Sequence, residues 1–219
     1  MQLQGLKANF LGDSITFGHG LADRSDVFWS LLAARDGVIA RGYGISGTRI
    51  ARQQPGGPPE KAKYDVHFVT RVPDMDPDAD LVVVFGGTND YGHGNAPIGR
   101  PEDRDDTTFY GALHCLYLAL LSRYPNASIV VMTPLHRLNE HSAWNEWGVR
   151  NVGCLEDYVN AIQETAAYYG IPVLDLYRLS GMQPENPLQR ELYMPDGLHP
   201  NKAGQERIYH LLRSFLLSM

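Results

Sequence analysis

Short apolar runs alternate along the chain with longer amphipathic segments. The clearest run is Leu81–Phe85, which contains only β-branched, aliphatic and aromatic residues and ends at two glycines. Further runs of this kind predict strands over residues 8–11, 38–40, 128–132 and 171–174. Because such runs are apolar on both faces, they indicate strands that are covered by other elements on both sides of a sheet.

The segments between these runs have helical periodicity. They predict helices over residues 27–35, 107–123, 149–169 and 201–217. Strands that alternate with helices form βαβ units, so the pattern predicts a three-layer α/β/α sandwich around a parallel sheet of about five strands. Residues 53–60 and 92–106 are predicted as loops, and 138–148 as a loop or a loose helical turn. Whether 92–106 or 138–148 forms a lid stays open.

Composition narrows the class of protein. The 219 residues suffice for one hydrophobic core, so a single domain over 1–219 is expected. The formal net charge of -6 disfavours a nucleic-acid partner. No apolar stretch is long enough to predict membrane insertion, and the N-terminus does not resemble a signal peptide, so a cytoplasmic location is expected. Cys115 and Cys154 are expected to be free thiols, since no Cys/His cluster indicates a metal site.

Two segments contain residues suited to nucleophilic catalysis. Ser14 follows the first predicted strand, where its hydroxyl would lie at the sheet edge. Asp196 and His199 are three residues apart, so the carboxylate can orient the imidazole and leave its other nitrogen as a base. Each segment also has a structural interpretation, because Asp and Ser are common in capped turns.

Two further segments provide hydrogen-bond donors. Asn89 follows the strongest strand, and the glycine-rich segment 42–47 follows the second. Ligands of parallel α/β sheets bind at the carboxyl ends of the strands, where all these segments are predicted to lie. A nucleophile, an oriented base and anion-stabilising donors at one edge are together what acyl transfer requires.

Four blocks occur in an order that resembles the SGNH, or GDSL-type, hydrolase family. They are Gly-Asp-Ser-Ile at 12–15, Gly-Ile-Ser-Gly at 44–47, Gly-Thr-Asn-Asp at 87–90 and Asp-Gly-Leu-His-Pro at 196–200. The match covers nearly the whole chain, and the ordered combination is far more specific than any single block. Ile15 replaces the leucine of the family name, and Gly42 stands where many members have asparagine, a change that bears on loop geometry.

The resemblance implies a role for each block. Ser14 would attack the ester carbonyl, His199 would accept the serine proton, and Asp196 would orient His199. The N–H groups of Ser14 and Gly47, with the side chain of Asn89, would form the oxyanion hole. The family fold is flavodoxin-like, and no metal or cofactor is implied.

Other side chains are candidates for substrate contact. Tyr91 and His93 follow Asn89 closely, and Trp144 and Trp147 lie three residues apart in a late loop. The tryptophans suit stacking on a sugar or an acyl chain, but they also suit a core gap or a dimer contact. Among the charged residues, Arg49 and Arg71 could bind an acidic group of a substrate, but they are expected to be solvated.

Ester hydrolysis is the predicted function, and short acyl esters such as O-acetyl groups on sugars are the favoured substrates. One alternative is a lysophospholipase or thioesterase, which would need a longer apolar channel. Another is a non-catalytic, flavodoxin-like module that binds a phosphate or a nucleotide. The expected partner is a small-molecule ester, and a homo-oligomer stays open.

Overall fold

A five-stranded parallel sheet forms the centre of the structure, a computed structural model that describes residues 1–54, 66–144 and 153–219. The strands are β1 (Lys7–Gly12), β2 (Ile39–Gly44), β3 (Leu81–Phe85), β4 (Ser128–Met132) and β5 (Val173–Leu174). They are arranged in the order β2-β1-β3-β4-β5, and all neighbours are parallel. This is the flavodoxin-like order that the resemblance implies.

The described helices lie between and after these strands. They are α1 (Ser14–Phe17), α2 (Phe28–Asp36), α3 (Phe68–Arg71), α4 (Thr88–His93), α5 (Phe109–Arg123), α6 (Leu155–Tyr168), α7 (Leu176–Leu179), α8 (Pro187–Tyr193) and α9 (Lys202–Ser218). Short 3₁₀ turns occupy Arg24–Asp26 and Val72–Asp74. Across the described ranges, no helix combines the length and the apolar character needed to cross a membrane.

Both faces of the sheet are buried, which confirms the three-layer prediction. In β3, Val82 and Val84 pack into a cluster shared with α5 and α6. Leu81, Val83 and Phe85 pack on the other side with residues of α2 and α9. Alternate side chains of a strand point to opposite faces, so an unbroken apolar run is what a doubly covered strand requires.

Two element boundaries differ from the predictions by four residues or more. β2 extends four residues beyond the predicted Ala40, because main-chain pairing with β1 continues to Gly44 in an edge strand that is largely half-buried. The helix predicted from 149 begins instead at Leu155, after Cys154 as its N-cap, and the Cys154 N–H donates to Asp157. Parts of three predicted segments lie outside the described residues. They are 55–60 of the loop predicted over 53–60, 145–148 of the segment 138–148, and 149–152 of the helix predicted over 149–169.

The strand order reverses direction at β1. The chain leaves β1 toward β2 on one side and continues to β3 on the other, so β1 and β3 flank the switch point of the topology. Ligands of such sheets bind at this point, beside the carboxyl ends of the strands. Ser14, Gly47 and Asn89 lie in the segments that follow β1, β2 and β3.

Candidate active site

Ser14 lies on a tight turn from β1 into α1. The turn is capped by Asp13, whose Oδ1 accepts the Ile15 N–H at 3.0 Å. Gly12 is required by close approach, since a Cβ at this position would lie 2.0 Å from Thr16 Oγ1. The position of Ser14, which is 5% exposed, is therefore determined by the backbone of a strand end.

The structure brings the three residues of the predicted relay together. Ser14 Oγ lies 3.0 Å from His199 Nε2, and His199 Nδ1 lies 2.6 Å from Asp196 Oδ2. The other carboxylate oxygen accepts the backbone N–H of His199 at 2.7 Å and that of Leu198 at 2.9 Å. An ionised carboxylate only accepts, so the His199 proton lies on Nδ1 and the Nε2 lone pair faces the serine.

The surroundings keep His199 neutral and Asp196 ionised. Burial is the largest cause that lowers the pKa of His199 below 6.5, and the nearby charges of His19 and Arg137 lower it further, while Asp196 works in the opposite direction. Burial raises the pKa of Asp196, but the hydrogen bonds from His199 and Leu198 outweigh this, and the net pKa lies below 3.8. A neutral imidazole beside a carboxylate is the form that accepts a proton from serine.

Buried contacts hold the His199 loop against the Ser14 turn. Gln205 of α9 is 0% exposed, and its amide donates to the Ile15 carbonyl at 3.1 Å and accepts the Phe28 N–H at 3.1 Å. On the other side of the loop, the Leu138 N–H donates to the Gly197 carbonyl at 2.9 Å. The 3.0 Å contact of Ser14 with His199 thus depends on α9 and on the segment after β4.

The predicted oxyanion donors lie at neighbouring strand ends. Gly47 has a φ of 79°, a left-handed conformation that favours glycine. Within the described part of the chain, neither its N–H nor that of Ser14 donates to a protein acceptor. Asn89 is 3% exposed, and its Nδ2 donates to the Thr48 carbonyl at 2.9 Å, which ties the end of β3 to the loop after β2.

Arg71 is buried, so the expectation of a solvated charge is wrong. The side chain is 4% exposed, and it donates to the Gly12 carbonyl and to Thr48 Oγ1, at 3.0 Å each, and to the Tyr43 carbonyl. Arg49, at 1% exposed, is buried as well. Backbone carbonyls at the strand ends provide acceptors that the sequence pattern does not reveal.

Two carboxyl groups are buried beside these loops. Burial raises the pKa of Asp13 to about 7, and the nearby Asp90 adds to the shift. Burial also raises the pKa of Asp90 to about 6, although its oxygens accept the N–H groups of Ile50 at 3.0 Å and Ala51 at 2.9 Å. Both carboxyl groups accept backbone N–H groups, so both residues have structural positions. Nowhere in the described ranges do His, Cys, Asp and Glu side chains form a group suited to a metal ion.

The four candidates for substrate contact lie in different surroundings. Tyr91 is 2% exposed, and its hydroxyl donates to the Asn139 carbonyl, so it anchors the segment after β4 from within the core. His93 is also buried and contacts Asn89. Trp144 is 59% exposed, while Trp147 lies outside the described residues. The structure thus does not bring Tyr91 to an open face of the site, and contact of Trp144 with substrate stays a prediction.

Sequence reasoning missed one neighbour of the base. The ring of His19 lies 4.5 Å, centroid to centroid, from that of His199. His19 is exposed, between two glycines of positive φ in the turn after α1. The Gly-His-Gly sequence directly after the Ser14 helix is the signal that could have identified it.

Comparisons with known proteins agree with this fold. The profile of the GDSL-like lipase/acylhydrolase family matches residues 10–207. A protein structure from Lactobacillus plantarum is 35% identical, covers 99% of this chain and 98% of that chain, and has a TM-score of 0.82. An acetyl xylan esterase is 22% identical with a TM-score of 0.66, covering 96% of this chain and 100% of that chain. No match was found among the curated proteins.

A more distant structure shows how widely the fold is shared. A member of the lipolytic G-D-S-L family from Veillonella parvula is 15% identical, with a TM-score of 0.61 over 97% of this chain and 99% of that chain. The class that fold and site define is that of carboxylic ester hydrolases. The chain belongs to the GDSL-like lipase/acylhydrolase family, whose profile spans most of its length. The family match therefore favours ester hydrolysis over the alternative of a non-catalytic binding module.

Proposed function

We propose that the protein hydrolyses carboxylic esters of short acyl groups, such as O-acetyl groups on sugars, through an acyl-Ser14 intermediate. The observation that carries the proposal is the continuous relay from Ser14 Oγ to His199 Nε2 at 3.0 Å and from His199 Nδ1 to Asp196 at 2.6 Å. It combines an activated nucleophile, a base and an orienting group within hydrogen-bond distance.

The reaction proceeds in two half-reactions. Ser14 Oγ attacks the ester carbonyl carbon while His199 Nε2 takes the hydroxyl proton, and the N–H groups of Ser14, Gly47 and Asn89 Nδ2 stabilise the oxyanion. The tetrahedral intermediate collapses, and the C–O bond to the alcohol breaks as His199 returns the proton to the alcohol oxygen. Water then attacks the acyl carbon while His199 Nε2 takes a water proton. The bond from the acyl carbon to Ser14 Oγ breaks, His199 returns the proton to Oγ, and the acid is released.

The polar surroundings of Ser14 support a short acyl group. Ser14 Oγ lies 3.0 Å from the imidazole of His199, the His19 N–H donates to the Ser14 carbonyl at 2.9 Å, and the ring of His19 lies 4.5 Å from that of His199. A long alkyl chain gains free energy only when apolar surface covers it. The acetyl xylan esterase with the same fold acts on an acetyl ester and is consistent with this substrate class.

The test is the hydrolysis of p-nitrophenyl esters from acetate to palmitate, followed by acetate release from acetylated xylose. We expect kcat/KM to be highest for acetate or butyrate and to be lost in Ser14→Ala. The exposed Ser122 of α5 provides a matched control, because Ser122→Ala should retain the wild-type rate. Rates that rise with chain length would favour the lysophospholipase or thioesterase alternative, and an active Ser14→Ala variant would refute the mechanism.

A further inference from the structure

A buried chain of hydrogen bonds leads from Arg49 through His93 to Asn89. His93 lies one helical turn after Asn89 on α4, so their side chains share a face of the helix. His93 Nε2 is 2.9 Å from Asn89 Oδ1, and His93 is 9% exposed. On its other side, Asn89 Nδ2 donates to the Thr48 carbonyl at 2.9 Å.

The contacts of His93 determine where its proton lies. A guanidinium group can only donate, and Arg49 Nη1 lies 3.5 Å from His93 Nδ1 and 3.1 Å from the His93 carbonyl. Nδ1 therefore faces a donor and retains its lone pair. The proton of the neutral ring lies on Nε2, where it is donated to Asn89 Oδ1.

This proton in turn determines the orientation of the Asn89 amide. A half-turn of the amide would place Oδ1 against the Thr48 carbonyl and the NH₂ group against the His93 N–H, so both contacts would be repulsive. Only the observed orientation satisfies both neighbours. It also leaves the second hydrogen of Nδ2 for the oxyanion hole.

We propose that His93 is a positioning residue that holds Asn89 in the orientation required of an oxyanion donor. The inference rests on the proposed function, because Asn89 stabilises an oxyanion only if Ser14 forms a tetrahedral intermediate. The Thr48 carbonyl still favours the same orientation when His93 is replaced. The expected loss in kcat is therefore about tenfold, smaller than the roughly 10²–10³-fold loss of an oxyanion donor itself.

Single variants separate this role from a purely structural one. His93→Phe keeps a buried ring but has no N–H to donate, whereas His93→Gln keeps a donor. His114 of α5 is the matched control, since it is 3% exposed and both ring nitrogens contact oxygen atoms, Nδ1 that of Tyr169 and Nε2 that of Pro101. With p-nitrophenyl acetate we expect a lower kcat at similar KM for His93→Phe, recovery in His93→Gln, and no change in kcat for His114→Phe.

A double-mutant cycle with Asn89→Ala tests whether His93 acts through Asn89. If it does, adding His93→Phe to Asn89→Ala lowers kcat no further. The inference is overturned if His93→Phe retains the wild-type kcat, if the two losses multiply, or if Asn89→Ala alone has no effect. Should thermal unfolding show that His93→Phe does not fold, His93→Leu replaces it in the same cycle.

The same variants distinguish a failure of the proposed function from a failure of the role inferred for His93. Full activity of Ser14→Ala would refute the acyl-serine mechanism and the inference with it. If Ser14→Ala is inactive and Asn89→Ala is impaired while His93→Phe equals wild type, only the role of His93 is refuted.

Discussion

The two halves of the proposed active site are built from different parts of the fold. Ser14, Gly47 and Asn89 follow three adjacent strands, and a buried network that includes Arg71 joins their loops. The other half is the loop before α9, where the side chain of Asp196 is 53% exposed. Oxyanion donors must be in place before the reaction, whereas the base must exchange protons with an alcohol and with water. Ser14 and Asn89 are thus buried at the strand ends, whereas the carboxylate that orients the base lies at the surface.

Asp196 and His199, in the loop before α9, form the loop half of the site. The largest expected effect on kcat comes from removing the base in this loop half. His199→Ala should lower kcat by roughly 10⁴–10⁶-fold, because Ser14 then has no proton acceptor. Steady-state hydrolysis of p-nitrophenyl acetate measures this loss. His210→Ala, at an exposed position of α9, is the control and should retain the wild-type kcat. A His199→Ala rate within tenfold of wild type would contradict the relay.

Ser14, Gly47 and Asn89 form the strand-end half of the site. Removing an oxyanion donor from this half should lower kcat less than removing the base. Asn89→Ala is expected to lower kcat by about 10²–10³-fold, because two backbone N–H groups remain in the oxyanion hole. KM should change little, since the interaction is strongest in the transition state. A raised KM with an unchanged kcat would instead assign Asn89 to substrate binding.

The pH dependence of the rate tests the environment of His199 in the loop half. The pKa of His199 lies below the ordinary value of 6.5, mainly because of burial. The imidazole is then neutral and active above that pKa, and kcat/KM falls as the pH decreases through it. The acid limb of a pH–rate profile should therefore lie below pH 6.5, with a slope of about tenfold per pH unit at its acid end. An acid limb centred above this value would contradict the assigned environment.

The smallest expected effect concerns stability in the strand-end half. The pKa of Asp13 is raised from 3.8 to about 7 by burial, so its contribution to stability is complete below pH 3.8 and is lost as the pH rises through about 7. Asp13→Asn retains the oxygen that caps α1 but cannot ionise. The melting temperature of the variant minus that of wild type should therefore be larger at pH 8 than at pH 5. An equal difference at both pH values would show that Asp13 does not titrate in this range.

The sequence predicts the central strands well and the surrounding polar contacts poorly. β3 and β4 match their predicted bounds because apolar runs covered on both faces leave a strong signal. α6 begins later than predicted, since cysteine is an unusual N-cap whose role depends on Asp157. The prediction of a loop over 92–106 is wrong at its first two residues, because α4 continues to His93. The sequence does not predict α4 or α8, because so few residues provide little periodicity.

The same contrast applies to the candidate site. Ser14, Asp196 and His199 could be assigned from their motifs, and the structure places them within hydrogen-bond distance. The buried positions of Tyr91 and His93 could not, because proximity to Asn89 along the chain does not show which way a side chain points. The four-residue spacing of Asn89 and His93 is a signal for their contact only once α4 is known to be a helix.

The central claim is that Ser14 is the nucleophile, and covalent labelling tests it most directly. The protein is incubated with a fluorophosphonate, which forms a stable ester with an activated serine, and the adduct is located by peptide mass spectrometry. The account predicts one adduct, on Ser14, that blocks ester hydrolysis and is absent in Ser14→Ala. An inhibitory adduct on another residue, or full hydrolytic activity after complete labelling of Ser14, would contradict it.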